Sequence, residues 1–152
     1  MVFSWVLAFA GLSAPGSVPQ WGPMRAPLWT GVVELTLACE IAPDAGLPPE
    51  FCATALAEAR RGAPYPVRAA DGSGGLRTFA LHLKADARGG LTVLTVGGER
   101  AVMMDEAQGA LLPRATTAAP GERIETTLAR ALDGALPWRR EPRVPPPPRL
   151  HR

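Results

Sequence analysis

Two cysteines are the residues whose type and spacing most clearly suggest chemistry. Cys39 and Cys52 are the only cysteines in the chain, and they bound the segment CEIAPDAGLPPEFC. Four interpretations apply: a disulfide, a zinc site, a redox pair, or two buried thiols that pack as small apolar side chains. A zinc site needs ligands only two to four residues apart, with further cysteine or histidine. A thioredoxin-like pair needs two intervening residues, so the spacing disfavours both of these.

The segments around the two cysteines predict where they lie. Residues 33–41 alternate apolar and polar side chains, which is the period of a strand with one buried face. Residues 48–62 begin with two prolines suited to a first helical turn, continue with an apolar stripe and end at a glycine. Cys39 then faces inward near the end of the strand, and Cys52 lies in the first turn of the helix. This placement permits a disulfide, which would stabilise the fold by about 3 kcal/mol, while two reduced, buried thiols remain the alternative.

Other residues with catalytic potential are less well placed. Cys52 near a helix N-terminus could act as a nucleophile with His82 as its base, but His82 is predicted on the polar face of its strand and Cys52 on the inward side. Asp105 and Glu106 are adjacent in sequence and would point to opposite faces of a strand. Residues 71–75, DGSGG, lack the lysine of a phosphate loop and predict a turn. We therefore predict no catalytic residue, no metal ligand and no cofactor.

The remaining segments complete a small α+β domain. The predicted fold is an antiparallel-rich sheet of about four to five strands, in the order β-α-β-β-β-β-α, with two helices packed on one face. Residues 106–121 could form a further edge strand or a loop. The other predicted elements are strands at 64–70, 77–86, 91–96 and 100–105, a hairpin turn at Gly97 and Gly98 between the last two strands, and a helix within 121–138.

The first residues resemble an export signal. Residues 1–14, MVFSWVLAFAGLSA, contain a short apolar run followed by small residues, and we predict a signal peptide or an N-terminal anchor. No lysine or arginine precedes that run, so a misassigned start, a buried strand and an uncleaved anchor remain alternatives. The run is too short for a transmembrane span. Residues 15–31 are predicted to be a linker whose tryptophans lie at a membrane interface or pack on the domain.

The last residues carry the basic charge of the chain. Residues 139–152 contain five arginines and one glutamate, whereas the rest has eleven basic and thirteen acidic residues, a net −2. The folded part therefore gives no charge argument for nucleic acid binding. We predict a disordered, basic, proline-rich tail that attracts an envelope protein or an anionic surface. The candidate partner-binding residues are Arg139, Arg140, Arg143 and Arg149.

The sequence thus predicts one folded domain, residues 32–138, with a short segment at each end. The function that fits best is a non-catalytic accessory or binding domain of the bacterial cell envelope, periplasmic or secreted, with an unknown ligand. The alternatives are a cytoplasmic location and a small enzyme that uses Cys52 or the Asp105 and Glu106 pair. A resistant disulfide favours the first function, and a rapidly labelled thiol favours the enzyme.

Overall fold

The computed structural model describes residues 27–100 and 110–140. Its strands and helices are β1 (Glu34–Ile41), α1 (Phe51–Arg60), β2 (Val67–Ala69), β3 (Thr78–Arg88), β4 (Leu91–Arg100), β5 (Ala110–Thr117) and α2 (Ile124–Ala135). Short 3-10 helices cover Pro27–Trp29, Pro43–Ala45 and Pro137–Arg139. The element order β-α-β-β-β-β-α and the α+β class are as predicted.

The five described strands form one mixed sheet in the order β2-β1-β3-β4-β5. β1 pairs in parallel with both β2 and β3, whereas β3, β4 and β5 form antiparallel pairs. The sheet is therefore mixed instead of purely antiparallel, with its antiparallel pairs running from β3 to β5. Parallel neighbours require a crossover connection, and α1 supplies it between β1 and β2.

The predicted hairpin at Gly97 and Gly98 is wrong. β4 runs through both glycines without turning, with a shift in its register against β5 between Val96 and Gly98. The turn lies at Gly89 and Gly90, between β3 and β4, where both glycines have positive φ, 58° and 79°. Residues 106–121 were predicted to form either an edge strand or a loop. The structure has an edge strand there, β5. The predicted strand at 100–105 lies outside the described residues beyond Arg100.

The hydrophobic core lies between the sheet and the two helices. The inward residues of β3, from Phe79 to Ala85, are at most 1% exposed, and α2 adds the fully buried Leu132. Trp29 belongs to this core: it is 5% exposed and its ring centroid lies 4.6 Å from that of Phe79. Trp29 therefore packs on the domain, which is one of the two positions predicted for the tryptophans of residues 15–31.

Gly98 has a packing role that gives the first prediction. A Cβ atom built at Gly98 would lie 2.6 Å from Cε1 of Phe79 and 2.7 Å from the carbonyl oxygen of Ala80. We expect Gly98→Ala to lower the free energy of unfolding by about 2 kcal/mol, because the buried ring and the sheet backbone would have to shift. Urea unfolding followed by tryptophan fluorescence measures this effect.

Gly134 supplies the matched control for Gly98→Ala. It lies in α2, and a Cβ built there meets no atom within 4 Å. Gly134→Ala is therefore expected to stabilise the protein by up to about 1 kcal/mol, the ordinary difference in helix propensity. A Gly98→Ala variant with an unchanged unfolding midpoint would contradict the packing role assigned to Gly98.

Candidate functional site

The two cysteines form a disulfide. Cys39, near the end of β1, is bonded to Cys52, in the first turn of α1, with a Cα–Cα distance of 5.7 Å. The alternating pattern of β1 and the apolar stripe of α1 bring both residues to the same side of the sheet, as predicted. The bond ties the start of α1 to the end of β1. Cys52 has no free thiol in this form, so it cannot act as the nucleophile of the enzyme hypothesis.

The opposite face of the sheet carries a row of exposed polar and charged side chains. On neighbouring strands, Glu40 Oε1 lies 3.9 Å from Lys84 Nζ, and His82 Nε2 lies 3.7 Å from Glu99 Oε1. All four side chains are at least half exposed. Loose, solvated contacts of this kind contribute little to stability. These side chains therefore remain able to make polar contacts with a molecule that approaches the face.

A depression lies beside this row, between β4 and β5. Its volume is about 370 Å³, and it is lined by His82, Thr95, Gly97 and Leu112 among others. β5 packs closely against Gly97, because a Cβ there would lie 3.2 Å from the Cα of Pro113. Leu112 is 75% exposed at its rim, a large apolar side chain beside charged ones. The depression thus combines polar and apolar contacts, which is the usual make-up of a binding surface.

The loop after β2 borders the same face and is held by an ionic network. Arg68 donates hydrogen bonds from Nη1 to Asp71 Oδ1, at 2.7 Å, and from Nε to Glu34, and it also donates to the carbonyl oxygen of Ser73. Asp71 Oδ1 accepts two more hydrogen bonds, from the backbone N–H and the hydroxyl of Ser73, at 2.9 and 2.5 Å. A second depression, of about 250 Å³, lies between this loop and His82.

The network makes the folded state sensitive to acid. The hydroxyl of Ser73 and then the guanidinium of Arg68 hold the pKa of the Asp71 carboxyl far below its usual value. A carboxyl with a lowered pKa stabilises the fold above its unfolded-state pKa, near 4, and loses that contribution as the pH falls further. We therefore expect Asp71→Asn to remove part of the stability difference between pH 6 and pH 2, as measured by urea unfolding midpoints across this range. An identical pH profile in the variant would contradict this assignment.

The tail residues predicted to bind a partner have different roles. Arg139 is 8% exposed and forms ion pairs with Glu58 and Asp133, so its side chain is part of the fold instead of a solvated tail. Arg140 is exposed and donates a hydrogen bond to the carbonyl oxygen of Gly134 at 2.7 Å. Arg143 and Arg149 lie outside the described residues. Arg139 and Arg140 thus contact the folded domain, and the extent of the tail stays a prediction.

The alternative catalytic residues are not brought together. His82 lies on the open face of the sheet, whereas Cys52 lies in α1 and is bonded to Cys39 on the helix side. Asp105 and Glu106 lie outside the described residues. Among residues 27–100 and 110–140, no three histidine, cysteine, aspartate or glutamate side chains cluster as metal ligands would.

Sequence reasoning missed the depression at Gly97 and the burial of Arg139. The alternating pattern predicts His82 on the polar face of its strand, where the structure has it. Gly97 was predicted to lie in a turn, so it was not assigned to that face of the sheet. The partners of Arg139 are Glu58, eighty-one residues earlier, and Asp133. No local pattern marks such a contact, and the arginine-rich neighbourhood suggested a solvated tail.

None of the helices in the described part of the chain combines the length and the apolar character that crossing a membrane requires. No protein-family model and no curated protein matches the sequence.

Solved structures with weak similarity include two of PelC from Paraburkholderia phytofirmans. A dodecamer of a point variant of PelC is 20% identical, with a TM-score of 0.39 over 72% of this chain and 88% of that chain. A PelC dodecamer in another crystal form is 19% identical, with a TM-score of 0.37 over 67% and 87% of the two chains. Similarity at this level carries no functional conclusion, so function has to be argued from the residues of this chain.

Proposed function

We propose that this protein is a non-catalytic binding domain that acts as an accessory protein in the bacterial cell envelope, in the periplasm or outside the cell. The observation that supports this proposal is the disulfide between Cys39 and Cys52. Disulfides persist in oxidising compartments and are reduced in the cytosol. The predicted export signal at residues 1–14 points to the same compartment.

The open face of the sheet is a surface that suits a binding role. One face of the sheet is covered by α1 and α2, while the other carries Glu40, His82, Lys84 and Glu99 around the depressions. Sheets commonly leave one face solvated, so a polar face alone does not indicate binding. The exposed Leu112 at the rim of the larger depression is the added feature, because partner surfaces combine an apolar contact with a polar rim.

The compartment is tested by the intact mass of the protein purified from fractionated cells of its own host. Cysteines are alkylated before and after reduction. The proposal predicts a species from the envelope fraction that is alkylated only after reduction. A cytoplasmic species with two freely alkylated thiols would overturn it and would return Cys52 to consideration as a reactive group.

The tail adds a second proposed contact with the envelope. Arg143 and Arg149 flank a run of four prolines, which favours an extended, solvated rod with positive charge. Such a rod attracts anionic surfaces, including lipid head groups and acidic proteins. Deleting residues 141–152 should weaken association with the envelope fraction in a salt-dependent manner. This deletion retains Arg139, so a lost association cannot be attributed to an unfolded domain.

A further inference from the structure

Among the strands that the structure describes, none fills the position beside the end of β1 at the β2 edge of the sheet. β2 contains only three residues, Val67–Ala69, and its pairing with β1 ends at Leu37 opposite Ala69. β1 continues to Ile41. Within the described part of the chain, no strand lies beside the last residues of β1 on this side.

The main-chain groups of Cys39 and Ile41 face that position. Leu35 N donates to Pro66 O, and Ala70 N donates to Leu37 O, both at 2.9 Å, so odd-numbered residues of β1 point their main-chain groups toward β2. Ala42 N donates to Ala85 O at 2.8 Å on the opposite side, so even-numbered residues point toward β3. Because both main-chain groups of a residue in a parallel strand point the same way, the N–H and C=O of Cys39 and Ile41 are directed at the open edge.

The two edges of the sheet differ in how they are protected. β5, at the far edge, carries Pro113 and Arg114 and pairs with β4 across a register shift. Prolines, charges and bulges are the usual means of preventing an edge from pairing with another chain. The exposed stretch of β1 has neither a proline nor a bulge. Glu40 is its one charged side chain, and it is 74% exposed.

An apolar groove runs along this unprotected edge. Its volume is about 500 Å³, and its lining residues are all leucine, alanine or cystine, including Ala38, Cys52, Ala53, Leu56 and Ala69. The disulfide forms part of its wall and ties the start of α1 above it. A groove that is held in place loses little conformational freedom on binding, which favours affinity.

We propose that this edge binds an extended peptide segment of a partner protein, which adds a strand beside Cys39 and Ile41. The inference deepens the binding function proposed above and rests on it. Side chains of the added strand alternate between the two faces of the sheet. Those on the helix side enter the apolar groove and are small and apolar. Those on the open side lie near Glu40, whose nearest cation, Lys84, is 3.9 Å away, so a basic side chain is favoured there.

Main-chain pairing restricts which segments can bind. Each residue of the peptide that faces β1 has to donate its N–H, which proline cannot do. The four-proline run of the tail therefore does not fit the position. If a second copy of the chain paired at this edge through its own β1, its own β2 would lie in the way. Self-association is one of the outcomes that the test distinguishes.

The test selects linear peptides of twelve residues from a random display library against the purified, disulfide-bonded full chain. We expect enrichment of sequences that alternate small apolar and basic residues. In the selected peptides, N-methylation of the residues that face β1 should weaken binding about tenfold or more, and N-methylation of the intervening residues less than twofold. Glu40→Lys should weaken binding of the same peptides, whereas Glu99→Lys, equally exposed on the open face but away from the edge, should not.

Amide hydrogen exchange locates the contact. In the free protein the amides of Cys39 and Ile41 should exchange rapidly while those of Ala38 and Glu40 are protected, and bound peptide should protect all four. Failure to enrich any peptide, or enriched peptides that leave Cys39 and Ile41 unprotected, would overturn the inference. So would protection in the free protein that disappears on dilution, which indicates a second copy at the edge. These outcomes are independent of the compartment, so they are distinguishable from a failure of the proposed envelope function.

Discussion

Replacing Cys39 and Cys52 together by serine is expected to lower the free energy of unfolding by about 3 kcal/mol. The bond closes a loop with a sequence separation of 13. It therefore constrains the connection between β1 and α1 in the unfolded chain as well as in the folded protein. Losing the bond therefore raises the conformational entropy of the unfolded chain. Urea unfolding followed by tryptophan fluorescence measures the loss, since Trp29 is in the core.

Reduction of the wild-type protein is the control for the two substitutions. Reduced wild type and the double variant should unfold at similar urea concentrations, because both lack the same covalent link. If the double variant were much less stable than reduced wild type, the packing of the sulfur atoms would be the larger effect. If neither treatment changed the unfolding midpoint, the bond would not be a structural stabiliser, and the argument for an oxidising compartment would lose its physical basis.

The proximity of the two cysteines was predictable because two local periods determine it, whereas the choice between a bond and two thiols was left open. The period of two in residues 33–41 fixed the inward direction of Cys39, and the helical stripe beginning at Phe51 fixed that of Cys52. A strand and the helix that follows it share an interface wherever the connection is short. The covalent bond adds to a contact that the amphipathic pattern already requires.

The turn between β3 and β4 was not predictable from the same kind of pattern. The sequence contains Gly-Gly at residues 89–90 and at 97–98, and both are flanked by apolar alternation. Only the first pair needs positive φ. Gly98 is needed because the ring of Phe79 occupies the space of its side chain, a contact between strands that no local signal reveals. For the same reason, Gly97 was not recognised as a lining residue of the depression between β4 and β5.

The parallel pairing of β1 with β3 was likewise not predictable from the sequence. Sequential strands pair most often with their neighbours in the chain, which would place β2 beside β3. β1 instead lies between them. This arrangement limits the contact of β2 to three residues of β1 and leaves the end of β1 at the edge. The proposed peptide site is thus a consequence of topology, so residue patterns alone do not locate it on the sheet.

Replacing Arg139 has the second large expected effect. Its guanidinium donates to Glu58 Oε1 at 2.6 Å, to the carbonyl oxygen of Glu58 at 2.8 Å and to Asp133 Oδ1 at 2.8 Å. These bonds tie the ends of α1 and α2 together. Arg139→Ala should lower the free energy of unfolding by about 2 kcal/mol, because the carboxylate of Glu58, only 12% exposed, loses its buried partner. Arg139→Lys should restore only part of this loss, since an ammonium group cannot donate in the planar fork of a guanidinium.

Arg140 provides the matched control for Arg139, because it is adjacent in sequence and exposed. Arg140→Ala should change the free energy of unfolding by less than about 0.5 kcal/mol. Deleting residues 139–152 should cost about as much as Arg139→Ala, whereas deleting residues 141–152 should cost nothing measurable. Equal stability of the two deletions would show that the Arg139 contacts do not hold the helices together. The difference in stability between the two deletions decides how a loss of envelope association is interpreted. It shows whether the loss comes from the missing tail or from a destabilised domain.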